Sequence, residues 1–326
     1  MKAITQDRFG APDVLRLSDI ARPEPKPGEV LLRVHAAALN PYDWHMLRGD
    51  PLIARLIPGS VGLTKPRYRV AGLDAAGRVE AVGPEVREFQ VGDEVLGFCP
   101  GAFAEYACAT AQQVVPKPPG LTFAEAAAIP IAATTALRAI RDVGQVQPGH
   151  RVLINGAAGG VGTYAVQIAQ SLGAEVTGVC GTGSTELVLS LGASHVIDYT
   201  TDDFTSQSAR YDVILDNAGS QSLGRLRHAL KPRGTLLLNA GGEPGHAIGP
   251  IGSMVRAAAV NRFVSQRLCF VPTKLDRAEL ASITELVEDG KLRSVIDRAY
   301  GLADTADGLR YVEAGHAHGK VVITIG

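Results

Sequence analysis

Cysteine is scarce in this chain of 326 residues: four occur, Cys99, Cys108, Cys180 and Cys269, and no two form a C-x-x-C pair. That spacing excludes a disulfide framework or a zinc knuckle and fits reduced thiols. An excess of one charge is missing too. Lys and Arg total 32 against 33 Asp and Glu, for a net charge of −1. No field of one sign draws nucleic acid or an acidic membrane, so neither is expected as a partner. Apolar runs stop far short of the ~20 residues of a membrane span. The opening MKAITQDRFG is polar where a signal peptide needs an apolar stretch, so a cytoplasmic location is expected. No internal repeat and no low-complexity segment is found.

What is present is an ordinary globular balance, 46% hydrophobic and 20% charged, with 37 glycines. The length suits two domains. The first part reads as short strands with loops. VLLRVHAAAL (30–39) lies between the turn signals Pro27–Gly28 and Asn40–Pro41, and FAEYACATAQQVVPKP (103–118) alternates as strands do. Beyond Pro118 the texture changes. Residues 122–140 are Ala-rich and helical in character, with Thr122 and Glu125 at capping-box spacing. Strands at 151–155, 175–180, 195–199, 211–216 and 235–239 then alternate with helices at 161–172 and 185–192. That order predicts an α/β fold with a doubly wound parallel sheet. A helix is expected over 277–290. The closing strand KVVITIG has no neighbour in the parallel set and is expected to return to the first domain. The expected boundaries are 1–117 with 273–326 for one domain and 118–272 for the other.

INGAAGGVG (154–162) joins a strand to a helix. Ala157, Gly159 and Gly162 fit A-x-G-x-x-G, and Gly160 and Val161 open the helix. The turn must be tight, Gly159 must let a pyrophosphate approach, and Gly162 must let the helix pack on the sheet. Free N–H groups and the helix dipole then favour the phosphates. An NAD site usually carries an acid at the end of the second strand. Here that strand ends at Cys180, and GTGST follows with no carboxylate before Glu186. Thr182 and Ser184 offer hydroxyls to a 2′-phosphate, although no Lys or Arg is present to neutralise it. NADPH is the expected cofactor.

PKPGEV (25–30), the GDEV and FAEY run (92–106), the glycine motif, SLGASHVIDY (190–199), DNAG (216–219) and GKVVITI (319–325) together resemble the medium-chain dehydrogenase/reductase superfamily, in its zinc-independent quinone oxidoreductase branch. The resemblance runs nearly end to end. It implies a GroES-like β-rich catalytic domain, a Rossmann domain, NADPH-dependent reduction of a carbonyl-conjugated acceptor, and a homodimer built by joining two Rossmann sheets edge to edge. Zinc enzymes of the superfamily have Cys where this chain has Asn40, and Gly-His-Glu where it has Gly72, Leu73 and Asp74. A catalytic zinc needs three Cys, His or carboxylate ligands, and Leu offers none, so no metal is expected. Asp74 is expected to be structural, and His316 and His318 to lie on the surface. Close relatives resemble C-S-T-[RK]-N at 180–184; here Gly183 replaces the basic residue. Tyr199 resembles the family tyrosine near the adenosine phosphate.

Without a metal, hydrogen-bond donors must stabilise the developing oxyanion. NPYDWHM (40–46) matches the family's cleft-lining segment. Asn40 is expected to donate its amide, and Tyr42 its hydroxyl or a proton. His45 reads more readily as a packing residue than as a donor. Thr134 resembles the threonine that faces the nicotinamide, with a helix hydroxyl bonded to its own backbone as the alternative. Asn217 and Ala218, and then Asn239, Ala240 and Gly241, end strands at the edge where ligands bind. By resemblance, Phe270 approaches the nicotinamide; Lys320 reaches a phosphate or is simply solvated. The loop 241–252 is expected to act as a lid. The alternatives are an enoyl-thioester reductase, suggested by Arg48, Arg55, Lys65, Arg67 and Arg69, and a non-catalytic NADPH-binding protein. The small-molecule acceptor itself is not legible.

Overall fold

The structure is a computed structural model that describes residues 1–56, 61–239, 250–272 and 276–326. The chain divides into two compact units. Among the described residues, the first holds 1–134 and 276–326, and the second holds 135–239 and 250–272. The loop expected as a lid lies largely outside the described residues, as do Ala240 and Gly241.

In chain order the elements begin with β1 (Lys2–Thr5), β2 (Arg16–Asp19), β3 (Glu29–Leu39), α1 (Pro41–Arg48), β4 (Asp74–Val82), β5 (Glu94–Phe98), β6 (Tyr106–Thr110) and β7 (Val114–Pro116). α2 (Phe123–Ala127) and α3 (Pro130–Leu137) follow, and α3 carries the chain into the second unit. There come β8 (Arg151–Asn155), α4 (Gly160–Ser171), β9 (Glu175–Cys180), α5 (Thr185–Ser190), β10 (His195–Asp198), β11 (Tyr211–Asp216), α6 (Leu223–Ala229), β12 (Leu230–Leu238), α7 (Pro250–Val260) and β13 (Arg267–Phe270). The last elements are α8 (Arg277–Glu288), β14 (Ile296–Gly301), α9 (Thr305–Glu313) and β15 (Lys320–Thr324).

The larger sheet of the first unit runs β14-β15-β3-β4-β5-β7, with β6 also on β3. β3 organises it. β4 pairs along one edge of β3, while β6 and β15 share the other: β6 takes Glu29–Arg33 and β15 takes Ala36–Leu39. β15 therefore extends this antiparallel set and leaves the parallel one alone. Val30, Leu32 and Val34 of β3 are buried in one core with Phe103, Val114 and Ile323. The small residue Ala38 packs with Ala128 and Val322, so the segment after α2 approaches the sheet closely. α2 starts where the sequence places a cap: the Glu125 amide donates to the Thr122 hydroxyl and the Glu125 carboxylate accepts from the Thr122 amide. The helical stretch breaks at Pro130, which brings no N–H and starts α3.

The second unit holds one parallel sheet, in the order β10-β9-β8-β11-β12-β13. The order reverses between β8 and β11, as in a Rossmann fold. Val152, Leu153 and Ile154 of β8 are fully buried, which is how a strand covered on both faces reads. β12 starts earlier than expected, at Leu230, with a register irregularity before Val213 of its partner.

Backbone proximity makes Gly77 obligatory. A Cβ there would lie 2.2 Å from the Arg33 carbonyl oxygen in β3, and backbone cannot swing aside. Gly77→Ala is expected to cost about 1–3 kcal/mol in urea unfolding. At Gly183, where an added Cβ meets nothing within 4 Å, the same change is expected to stay within ~0.5 kcal/mol.

Candidate active site

In the second unit, the turn after β8 is tied to the end of β9: the amides of Gly156 and Ala157 donate to the Val179 carbonyl at 3.1 and 2.9 Å. A Cβ on Gly162 would lie 2.0 Å from the Gly156 oxygen, so turn and helix touch through backbone alone. At Gly159 the nearest atom to an added Cβ is 3.4 Å away, which leaves the approach to the helix open. Gly159 caps α4 without a side-chain bond, and Gly160, Val161 and Gly162 form the first turn, whose amides lack acceptors within the helix.

The strand ends beside this turn are polar and tightly linked. Asp216 accepts from the Asn155 amide at 2.8 Å and the Gly219 backbone at 3.0 Å. Burial pushes its carboxyl above the usual range. Asn239 donates to the Asn217 carbonyl oxygen at 2.8 Å. The Asn217 amide nitrogen is itself buried, with no partner among the described residues. Leaving a buried donor unpaired costs about 1–3 kcal/mol, and an incoming acceptor would recover that. The orphan donor, the open glycine turn and the free helix amides fit a dinucleotide. Ala218 follows Asn217 in the same loop, and Phe270 ends β13 partly buried.

Two phosphate assignments are corrected at the end of β9. Ser184 is 1% exposed, too buried to reach a ligand. The Thr182 hydroxyl donates to Asp198 at 2.5 Å and is already spent. Cys180 is buried, and burial raises its thiol pKa, so any cofactor contact there is through backbone. Tyr199 is exposed; its hydroxyl adjoins Gly181, 3.3 Å from where a Cβ would stand.

In the first unit a buried polar cluster forms where β3, α1, β4, α3 and β15 meet. Asp74 has no exposure. It accepts from the Asn40 amide at 2.9 Å and from the Ile131 backbone at 3.2 Å, an amide in the first turn of α3 that would otherwise be orphaned. Asp43 accepts the Asn40 N–H at 2.8 Å, as the third residue of a capping box does. The Lys320 ammonium donates to the Asn40 oxygen and to the Leu39 carbonyl, and stands 4.0 Å from Asp74. Burial, the largest influence on each, raises both carboxyls and lowers the lysine.

Three expectations fail here for one reason, that the groups are already engaged. Asn40 is 2% exposed with both ends of its amide bonded, so it is no oxyanion donor. Lys320, 3% exposed, holds the cluster and no phosphate. The Thr134 hydroxyl donates to the Pro130 carbonyl at 2.6 Å, the helix alternative. Tyr42 alone stays available, 39% exposed on α1. Partial burial first, then the Asp43 charge, pushes its hydroxyl up to about 12, so it keeps its proton at neutral pH. His45 stacks on Trp44 with ring centroids 3.6 Å apart, and burial lowers its pKa; it is a packing residue, neutral near pH 7. Leu73 is buried, and among the described residues no three His, Cys, Asp or Glu gather to hold a metal. Arg48 pairs with Glu313, Arg55 bonds backbone carbonyls, and Arg69 pairs with Asp7. The basic entrance imagined for an acyl carrier is thus largely committed. Among the described residues no helix is long and apolar enough to cross a membrane.

Asp43 titrates near 7 in the folded chain and near 4 when unfolded. The folded state holds the proton longer, so this group's contribution to stability is complete below about pH 4 and is lost as pH rises through about 7. Unfolding free energies of the wild type and Asp43→Asn are expected to converge over that interval by a few kcal/mol at most. A wild-type advantage that grows with pH would overturn the assignment.

Residues 26–119 match the family described as alcohol dehydrogenase GroES-like domain, and 191–323 match that described as zinc-binding dehydrogenase. A chloroplastic quinone-oxidoreductase homolog of Spinacia oleracea is 33% identical over 99% of this chain and 98% of its own. The quinone oxidoreductase of Coxiella burnetii superposes with a TM-score of 0.85 at 30% identity, covering 100% of this chain and 99% of that one. A mycobacterial protein solved in complex with NADPH superposes with a TM-score of 0.83 at 27% identity, covering 99% and 100%. With Leu73 and a bonded Asn40 standing where zinc ligands would be, the chain is an oxidoreductase of the medium-chain dehydrogenase/reductase superfamily, in its zinc-independent quinone oxidoreductase branch.

Proposed function

We propose that this protein reduces quinones or α,β-unsaturated carbonyl compounds at the expense of a reduced nicotinamide dinucleotide, with no catalytic metal. The observation that carries the reading is the combination, in one chain, of a glycine turn beside an orphaned Asn217 amide with Leu73 and a committed Asn40. The first suits a dinucleotide and the second removes Lewis-acid help. The N-terminal amides of α4 would hold the pyrophosphate, and Asn217 and Ala218 would hold the nicotinamide half. When bound, the reduced nicotinamide supplies a hydride to the electron-poor acceptor. Tyr42 then contributes a hydrogen bond to the oxygen that gains charge. With its pKa near 12 it is a poor proton donor at neutral pH, so the proton that completes the hydroquinone or enol comes from water. The absence of an acid at the end of β9 favours NADPH. The homodimer would form on β13, one of the two edge strands of its sheet among the described residues; sedimentation equilibrium should give twice the chain mass, and a monomer at micromolar concentration would count against it.

Oxidation of reduced cofactor by a quinone panel is expected to survive treatment with a strong chelator unchanged. Tyr42→Phe is expected to lower kcat/KM by about tenfold, the worth of one hydrogen bond to a developing charge. Loss of activity on chelation, or an unaffected Tyr42→Phe enzyme, would overturn the respective part.

A further inference from the structure

The outer face of α1 is apolar where a surface helix ordinarily carries charge. Asp43, Trp44 and Leu47 are buried on its inner side. Tyr42, His45 and Met46 share one helix face by their spacing of three and four, and each keeps full or partial exposure. Burial holds His45 neutral near pH 7, so it adds a flat ring and no charge. Arg48, the one basic residue of permanent charge on the helix, is paired with Glu313. The chain leaving α1 extends this strip. Leu52 and Ile53 are 47% and 40% exposed. Their turn is tied to the helix end, because the Arg55 guanidinium donates to the Arg48 and Gly49 carbonyls at 2.7 and 3.0 Å. At the opposite end of α1 the surroundings are polar. The Arg67 guanidinium lies 5.2 Å from the centre of the exposed Tyr68 ring. Both residues act on the Tyr42 hydroxyl, Tyr68 raising its pKa and Arg67 lowering it. Gln6 fixes that stretch, its backbone amide donating to the Arg69 carbonyl at 2.8 Å and its side chain to the Tyr68 carbonyl at 3.4 Å. The eight residues of α1 put about 12 Å between the two ends.

We propose that the acceptor is amphipathic: its carbonyl end sits at Tyr42, Arg67 and Tyr68, and an aliphatic tail lies along the outer face of α1 toward Leu52 and Ile53. The proposal rests on the reading of Tyr42 as the group that bonds the acceptor oxygen. A single exposed leucine needs no explanation. A strip of one chemistry that starts at the reacting group is different, because methylenes laid on it remove apolar surface from water on both partners. The two ends suit the two halves of such a molecule. Tyr68 offers a flat face to a conjugated head, and the Arg67 charge favours an oxygen that gains electrons. Leu52 and Ile53 offer nothing to a charge and favour only a hydrocarbon. They are specificity determinants with no part in the chemical step.

Steady-state kinetics of the full chain with alkyl-substituted benzoquinones, from methyl to decyl, tests this at saturating reduced cofactor. Complete burial of one CH₂ is worth about fourfold in affinity, and a strip that covers one side of the tail is expected to give about half that gain in free energy, or about twofold. KM should therefore fall about twofold per added CH₂ with kcat nearly constant, and level off once the tail outruns the ~12 Å of α1. In the variant carrying Leu52→Ser and Ile53→Ser, the gain across the longer members should drop to less than half of the wild-type gain. Thermal unfolding checks that the variant is folded. A KM that is flat or rises with chain length in the wild type overturns the proposal, while reduction of the methyl compound leaves the proposed reaction standing. A folded variant that keeps the whole chain-length gain overturns the assignment of the tail to this strip. Reduction of no member of the series overturns the proposed reaction and this proposal together.

Discussion

A buried carboxylate must find partners or give up its charge, and Asp74 answers that constraint for the whole first unit. It has no exposure, so each of its contacts is dictated. The Ile131 amide brings in the start of α3, the Asn40 amide brings in the junction of β3 and α1, and Lys320 brings in β15. Four segments far apart in sequence meet because one oxygen pair needs donors. The closing strand is part of that solution. Without Lys320, two buried carboxyls would share the site with no counter-charge, and removing one member of such a group is strongly destabilising.

The second unit repeats the device at the end of its own sheet. Asp216 is buried and draws in the Asn155 amide from the neighbouring strand, together with the Gly219 backbone. In both units an aspartate accepts from an asparagine across adjacent strands. The difference lies in what remains unpaired. In the first unit every asparagine group is used. In the second, Asn217 keeps a buried donor without a partner among the described residues. That asymmetry separates the structural duty of one cluster from the ligand-binding role proposed for the other, although the residue types are the same.

Local patterns were legible and cross-strand partners were not. The glycine turn, the Thr122 capping box and the alternation of strands and helices are properties of a few consecutive residues, and each leaves a spacing. Leu73 was legible because a missing ligand needs no geometry. β14 and α9 left weak marks: IDRAYG is half polar, and TADGLRYVE carries a glycine at 308. Asn40 and Lys320 were misassigned because their fates depend on partners 34 and 280 residues away. The capping-box spacing of Asn40 and Asp43 was the one available hint that Asn40 is bound inward.

Burial sorts the aspartates by role. Asp43, Asp74 and Asp216 lie where water cannot screen them, so their charge is expensive and their bonds hold the fold. Asp198 lies at the surface end of its strand, where three hydroxyl and amide donors cost the fold little and keep the charge in place. Its field is short in range and sensitive to salt, too weak to shape the sheet. The same chemical group thus holds the core of a unit in three positions and only its own strand end in the fourth, and the distinction follows from solvent access before any family likeness is considered.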